Sequence, residues 1–182
     1  MIPEHAKKVF SWILFDTYQW EQELYDGTTT VFEKVKRIDG SCVVAEADGK
    51  ICISRESQPS RWDFVCLLGG MIERGEDVDE WVRRELLEES GLVSDEWKFL
   101  CYHRPGIKVE CERKMYLARN CRKVAQPVLD AGERIRLESV EFEEFIELMI
   151  SWVLDEPFLC KWLLEQHYQD GSWDRIKKMF VG

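Results

Sequence analysis

The chain has 182 residues, 45% of them hydrophobic and 33% charged, which fits one substantial core and excludes a disordered, collagen-like or low-complexity protein. A formal charge of −10 opposes attraction to a phosphate backbone, so nucleic acid is not an expected partner despite the local run Lys34-Val35-Lys36-Arg37. The longest apolar runs, 64–68 and 148–154, are too short or too interrupted to span a bilayer, and Met1-Ile2-Pro3-Glu4-His5 does not open as an export signal, so no membrane partner and a cytoplasmic location are expected.

In chain order, residues 10–15 and 28–35 favour extended structure, and Asp26-Gly27 between them reads as a turn. Residues 41–47, Asp48-Gly49 and 50–54 read as a strand, a tight turn and a second strand. After the polar stretch 55–61, the apolar run 64–68 predicts a buried strand that delivers the chain into a bend at Gly69-Gly70. Asp77 or Asp79 can cap a helix carrying residues 80–90, which Gly91 stops in the left-handed conformation. Strands are expected at 97–103, 113–119 and 134–140. Helical spacing follows through Phe142, Phe145, Ile146, Met149, Ile150 and Val153, then from Phe158 through Trp162 and Leu163 to His167, with Pro157 between the two segments. This order predicts an α/β fold, a central mixed sheet with helices on both faces.

The seven cysteines are scattered, odd in number and lack a close CxxC pair, so they read as reduced thiols rather than disulfides or zinc ligands. His5, His103 and His167 are too dispersed for a zinc site.

Chemistry concentrates on the helix after Asp77. Glu85, Glu88 and Glu89 stand at i, i+3 and i+4, which puts three carboxylates on one face. Alone they repel; Mg²⁺ or Mn²⁺ among their oxygens would make the cluster favourable and could bridge to phosphate. The same spacing also suits a solvated acidic face paired with Arg83 and Arg84, and periodicity does not decide between them.

The wider pattern, Gly70, Glu76 and Arg84-Glu85-Leu86-x-Glu88-Glu89-x-Gly91-Leu92, with five residues between Gly70 and Glu76 and seven between Glu76 and Arg84, resembles the signature of the Nudix hydrolases. That resemblance implies an α/β/α sandwich around a mixed sheet, here with extra N-terminal strands, and cleavage of a nucleoside diphosphate linked to another moiety X. It implies that Glu85, Glu88 and Glu89, with the carbonyl of Gly69, hold two or more Mg²⁺ or Mn²⁺ ions. Glu76 and Arg84 would hold the loop against the helix, and Leu86 and Leu92 would be core. One departure is the approach Cys66-Leu67-Leu68-Gly69-Gly70, where the family usually has proline before the two small residues and a subgroup has glutamate two before that.

Outside the signature, Tyr102-His103-Arg104-Pro105-Gly106 followed by Tyr116-Leu117-Ala118-Arg119 resembles the ADP-ribose pyrophosphatase branch. Its acidic loop is best matched by Leu129-Asp130-Ala131-Gly132-Glu133-Arg134-Ile135, in which Glu133 is the first choice for general base and Asp130 the second, Ala131 standing where the family's proposed base would be. Expected substrate contacts are Gln58, Trp62, His103, Arg104, Pro105 and Tyr116, although aromatic residues also close cores. Residues 1–40, with Phe10, Trp12, Ile13, Phe15, Tyr18 and Trp20, resemble a dimerising or sheet-extending segment ahead of a catalytic domain over 41–182, which implies a homodimer. The expected reaction is hydrolysis of ADP-ribose to AMP and ribose 5-phosphate. Alternatives are another nucleotide sugar, a dinucleoside polyphosphate, a nucleoside triphosphate, or a nucleotide-binding protein without turnover.

Overall fold

A computed structural model of the chain describes every residue except Ser60, Arg74, Pro105, Ile107 and Asp155, with the side chain of Asp170 also outside the description. The aromatic start is a hairpin and not a single strand over 10–15: β1 (Lys7–Ser11) ends at Ser11, and β2 (Phe15–Glu23) returns antiparallel to it. The buried Asp16 side chain closes this turn, accepting from Ser11 Oγ at 2.5 Å and Lys8 Nζ at 2.8 Å. At the expected Asp26-Gly27 turn, Asp26 accepts from both the backbone and hydroxyl of Thr28, Gly27 takes φ 82°, and β3 (Thr29–Arg37) follows.

β4 (Gly40–Ala47) and β5 (Lys50–Gln58) form the expected hairpin, with Asp48 and Gly49 at φ 53° and 77°. They pair only near that turn, from Ala45 to Cys52, and then splay. β6 (Arg61–Cys66) and β7 (Leu68–Met71) enter the gap, β6 against β5 and β7 against β4. This corrects two expectations. The polar stretch after Ser54 stays extended because β5 is paired on both edges there, and polarity does not weigh against backbone bonds already satisfied. Gly69-Gly70 is strand and not bend.

α1 (Val78–Ser90) is followed by β8 (Leu92–Val93), β9 (Glu96–His103), β10 (Val109–Glu110), β11 (Arg113–Arg119), β12 (Arg122–Lys123) and β13 (Arg134–Val140). The main sheet runs β13-β5-β4-β11-β9, with β11 parallel to β4 and its other pairs antiparallel, so it is mixed. β10 leaves it and adds a parallel strand to β3, so the first sheet, β1-β2-β3-β10, contains a strand from beyond residue 40.

Alternation along β4 and β11 divides the interior into two cores. Cys42, Val44, Met115 and Leu117 face α2 (Phe142–Ile150), α3 (Pro157–Asp170) and α4 (Asp174–Val181) through Phe145, Met149, Leu159, Leu163, Ile176 and Phe180. Val43, Ala45, Tyr116 and Ala118 face α1 through Trp81, Val82 and Leu86. Helices on both faces make the α/β sandwich expected. Pro157 takes the first position of α3, where its missing N–H costs nothing. α4 was not anticipated. All seven cysteines are free, and among the described residues no helix is long and apolar enough to cross a membrane.

Candidate active site

The signature helix is fixed at both ends. Asp77 caps α1 by accepting from Asp79 N at 2.9 Å and Glu80 N at 3.1 Å, and Gly91 ends it at φ 71°. The Gly91 carbonyl accepts from Val124 N and Ala125 N, and the Glu88 carbonyl from Val128 N at 2.7 Å. The segment after β12 is therefore clipped to the end of α1, and residues 129–133 begin beside the glutamates.

Arg84 organises the exposed side of the cluster. Its guanidinium donates to both oxygens of Glu76, at 3.2 and 3.1 Å, to Glu85 at 3.1 Å and to Glu88 at 2.7 Å. The Glu76 contact ties the loop before α1 to the helix. Glu89 points inward instead: it is buried and accepts from Gly69 N at 2.7 Å. That contact needs glycine, since φ at Gly69 is 124° and a Cβ there would stand 2.4 Å from the Ser41 carbonyl oxygen across the β4–β7 pair. Burial pushes the Glu89 carboxyl up to about 9, against the single Gly69 hydrogen bond, and the half-buried Glu85 up to about 7, against Arg84.

Beside the cluster lies a cavity of about 550 Å³ lined by Arg55, Glu56, Phe64, Glu133, Arg134 and Arg136, among others. Glu133 stands close enough to raise the Glu85 and Glu89 carboxyls by its charge, and its own is raised by burial and by Asp130. Asp130 is exposed, and its carbonyl accepts from Glu133 N at 3.0 Å. The cavity residues Arg134, Arg136 and Glu56 were missed. Arg134 and Arg136 sit in a strand expected only for its apolar alternation, and Glu56 in a polar stretch without period.

Other expected contacts lie elsewhere. Tyr116 is 7% exposed and donates to Asp79 Oδ1 at 2.6 Å, with Trp97 and Phe99 edge-on to its ring, so it packs the core beneath α1. His103 stacks on Phe158 of α3, on the sheet face opposite α1. Arg104 pairs with Glu112 and covers Tyr102. Trp62 is 82% exposed on β6, and Gln58 is half-buried at the end of β5. None of these five lines the cavity with Glu133. Pro105 lies outside the described residues.

Among the described residues no three acidic, histidine or cysteine side chains already stand as a metal cage, and Arg84 engages Glu85 and Glu88. The donor chemistry nevertheless fits a hard divalent cation: Glu85 and Glu89 are carboxylates whose charged form is disfavoured by burial, and the ion would supply compensating charge.

Residues 36–161 match the NUDIX domain, more than half of the chain. An ADP-ribose pyrophosphatase of Bacillus subtilis (strain 168) is 27% identical over 150 residues, covering 80% of this chain and 80% of that one. A solved structure described as that of an ADP compounds hydrolase superposes with a TM-score of 0.72 at 18% identity, over 92% of this chain and 93% of its own, and so speaks for the fold. Because the domain match takes in the splayed hairpin, the signature helix and most of both cores, the chain belongs to the NUDIX family and is a hydrolase.

Proposed function

We propose that this chain hydrolyses the diphosphate of a nucleoside diphosphate linked to X in a divalent-metal-dependent reaction, and that its substrate is ADP-ribose, cleaved to AMP and ribose 5-phosphate. The observation that carries the reaction class is the inward carboxylate of Glu89 on Gly69 N–H, beside Glu85 and facing the loop of Glu133. The substrate assignment is supported by the pyrophosphatase relative, whose similarity runs through most of both chains.

Glu85, Glu88 and Glu89, with the Gly69 carbonyl, would hold Mg²⁺ or Mn²⁺, two or more ions in the active complex. When bound, such ions would neutralise the diphosphate and would make a water beside them more acidic. Glu76 fixes Arg84 and with it the loop, and Glu88, held by the same guanidinium, would be one of the residues holding the ion. Glu133 accepts a proton from the attacking water, a role suited to a carboxyl raised by burial; Asp130, more exposed, is the second candidate. Arg134, exposed at the cavity and without an ion pair among the described residues, offers a bidentate donor to the phosphate of the departing sugar end.

The test is a comparison of initial rates on ADP-ribose, ADP-glucose, UDP-glucose, GDP-mannose, diadenosine polyphosphates and a nucleoside triphosphate, with Mg²⁺ or Mn²⁺ and product identification. ADP-ribose is expected to give the highest kcat/KM. A preference for the triphosphate would reject the substrate and leave the reaction class; no cleavage of any compound with either metal would reject both in favour of nucleotide binding without turnover.

A further inference from the structure

An ionised carboxylate removed from water is costly unless a cation or several donors meet it. Glu56, on β5 and outside the signature, is 8% exposed. Its Oε1 accepts the Ser54 hydroxyl at 2.6 Å and the Cys66 thiol at 3.0 Å. Among the described residues nothing donates to Oε2 and no ion pair reaches the carboxylate, yet the residue lines the cavity. Glu89 is in the same position, buried, held by the Gly69 N–H and without an ion pair. The two stand close enough for the charge of Glu56 to act on Glu89. Of the three arginines that line the cavity, Arg55 and Arg136 both bind Glu138, which leaves Arg134 for the substrate. A buried acid on β5 and another on α1 thus act on each other, with no ion pair to either among the described residues.

We propose that Glu56 is a further carboxylate of the divalent-metal site, adding its charge to a cation held with Glu85 and Glu89, as a ligand or through one of the ion's waters. The inference rests on the reading of the signature helix as a metal site. It accounts for a buried acid that packing alone does not explain: Ser54 and Cys66 orient one oxygen and leave the other for the ion. It also accounts for Cys66 at the position where a family subgroup carries glutamate, since the neighbouring strand delivers a carboxylate to the same thiol.

The experiment uses the full chain, stripped with EDTA and titrated with Mn²⁺ in the absence of substrate, followed by calorimetry and thermal unfolding. Glu56→Gln keeps the side-chain volume and the contact with Ser54 while removing the charge. Metal-free E56Q is expected to melt at or above the metal-free wild type, and its Mn²⁺ affinity to fall by about tenfold or more. Wild-type Mn²⁺ affinity in E56Q overturns the proposal. A Mn²⁺-loaded crystal of the wild type gives a second measure that does not depend on the variant folding. Anomalous density for an ion with the Glu56 carboxylate on it or on one of its waters is expected, and an ion with no such contact overturns the proposal. A wild type that binds no Mn²⁺ overturns the metal-site reading itself, an outcome distinct from equal affinity in the two proteins.

Discussion

At the scale of single residues, Glu88 and Glu89 have the same proposed task from different surroundings. Glu88 is half-exposed and held by Arg84, whereas Glu89 is buried on Gly69 N–H. Glu88→Gln and Glu89→Gln should each lower kcat by at least about 10²-fold at saturating Mg²⁺. Only E89Q should also stabilise the metal-free chain, which circular-dichroism melting would detect; wild-type turnover in either would remove that residue from the metal site. The raised carboxyls give a pH dependence of definite sign. Between the ordinary carboxylate value and the raised values of about 7 for Glu85 and about 9 for Glu89, the folded chain holds protons that the unfolded chain has released. Stability of the EDTA-treated protein therefore falls as pH rises through that window. Mn²⁺ replaces those protons, so the rise in Tm on adding it should be larger at pH 8 than at pH 6, as a melting series in matched buffers would report. Helical spacing drew the three glutamates together on one face, and the wider signature set them apart from a solvated acidic face. Glu56 was not, since one acid in a polar stretch shows neither period nor partner until β6 closes beside it. Tyr116 and His103 do not line the cavity, an outcome not legible in the sequence because an aromatic residue in a strand gives no sign of which face it takes.

At the scale of elements, backbone chemistry was easier to read than side-chain destination. Asp48-Gly49, Asp77 and Gly91 each carry a local conformational demand, and the hairpin and α1 follow from them. Ranges 113–119 and 134–140 coincide with β11 and β13, since apolar alternation bounded by turns leaves little freedom. The aromatic run 10–15 failed because it straddles a turn closed by Asp16, a contact from outside the run. α4 was missed because it is short and has only Ile176 and Phe180 buried. Gly91 shows how tightly one element end can be specified. It is left-handed, and a Cβ there would lie 2.0 Å from the Ala125 carbonyl oxygen. Gly91→Ala should therefore cost more than the ~1 kcal/mol of a left-handed glycine alone. A urea unfolding midpoint within error of wild type would show that the segment at Ala125 shifts freely.

For the whole molecule, the first sheet and the turn between β1 and β2 leave an apolar surface exposed. Phe10, Trp12, Ile13 and Val31 are 55, 65, 74 and 62% exposed, an arrangement that favours a two-fold partner of the same kind. Light scattering at micromolar concentration should give twice the chain mass, and removing residues 1–39 should yield monomer with a raised KM; a monomeric full chain with unaltered kinetics after truncation would dispose of the dimer. β10 makes that truncation more than the loss of an appendage, because it strips the partner from a strand that follows directly on β9. The clip at the end of α1 has a different reach. Val128 is fastened to Glu88 and Arg134 opens β13, so only the five residues 129–133 span two anchored points. Such a short tether sets the effective concentration of the Glu133 carboxylate at the glutamate face. Doubling its length would cost only about 0.6 kcal/mol in closure entropy, too little to threaten the fold, yet it would dilute the acid over a larger volume. With Glu133 in the role proposed for it, the rate is exposed to insertions that stability would scarcely register.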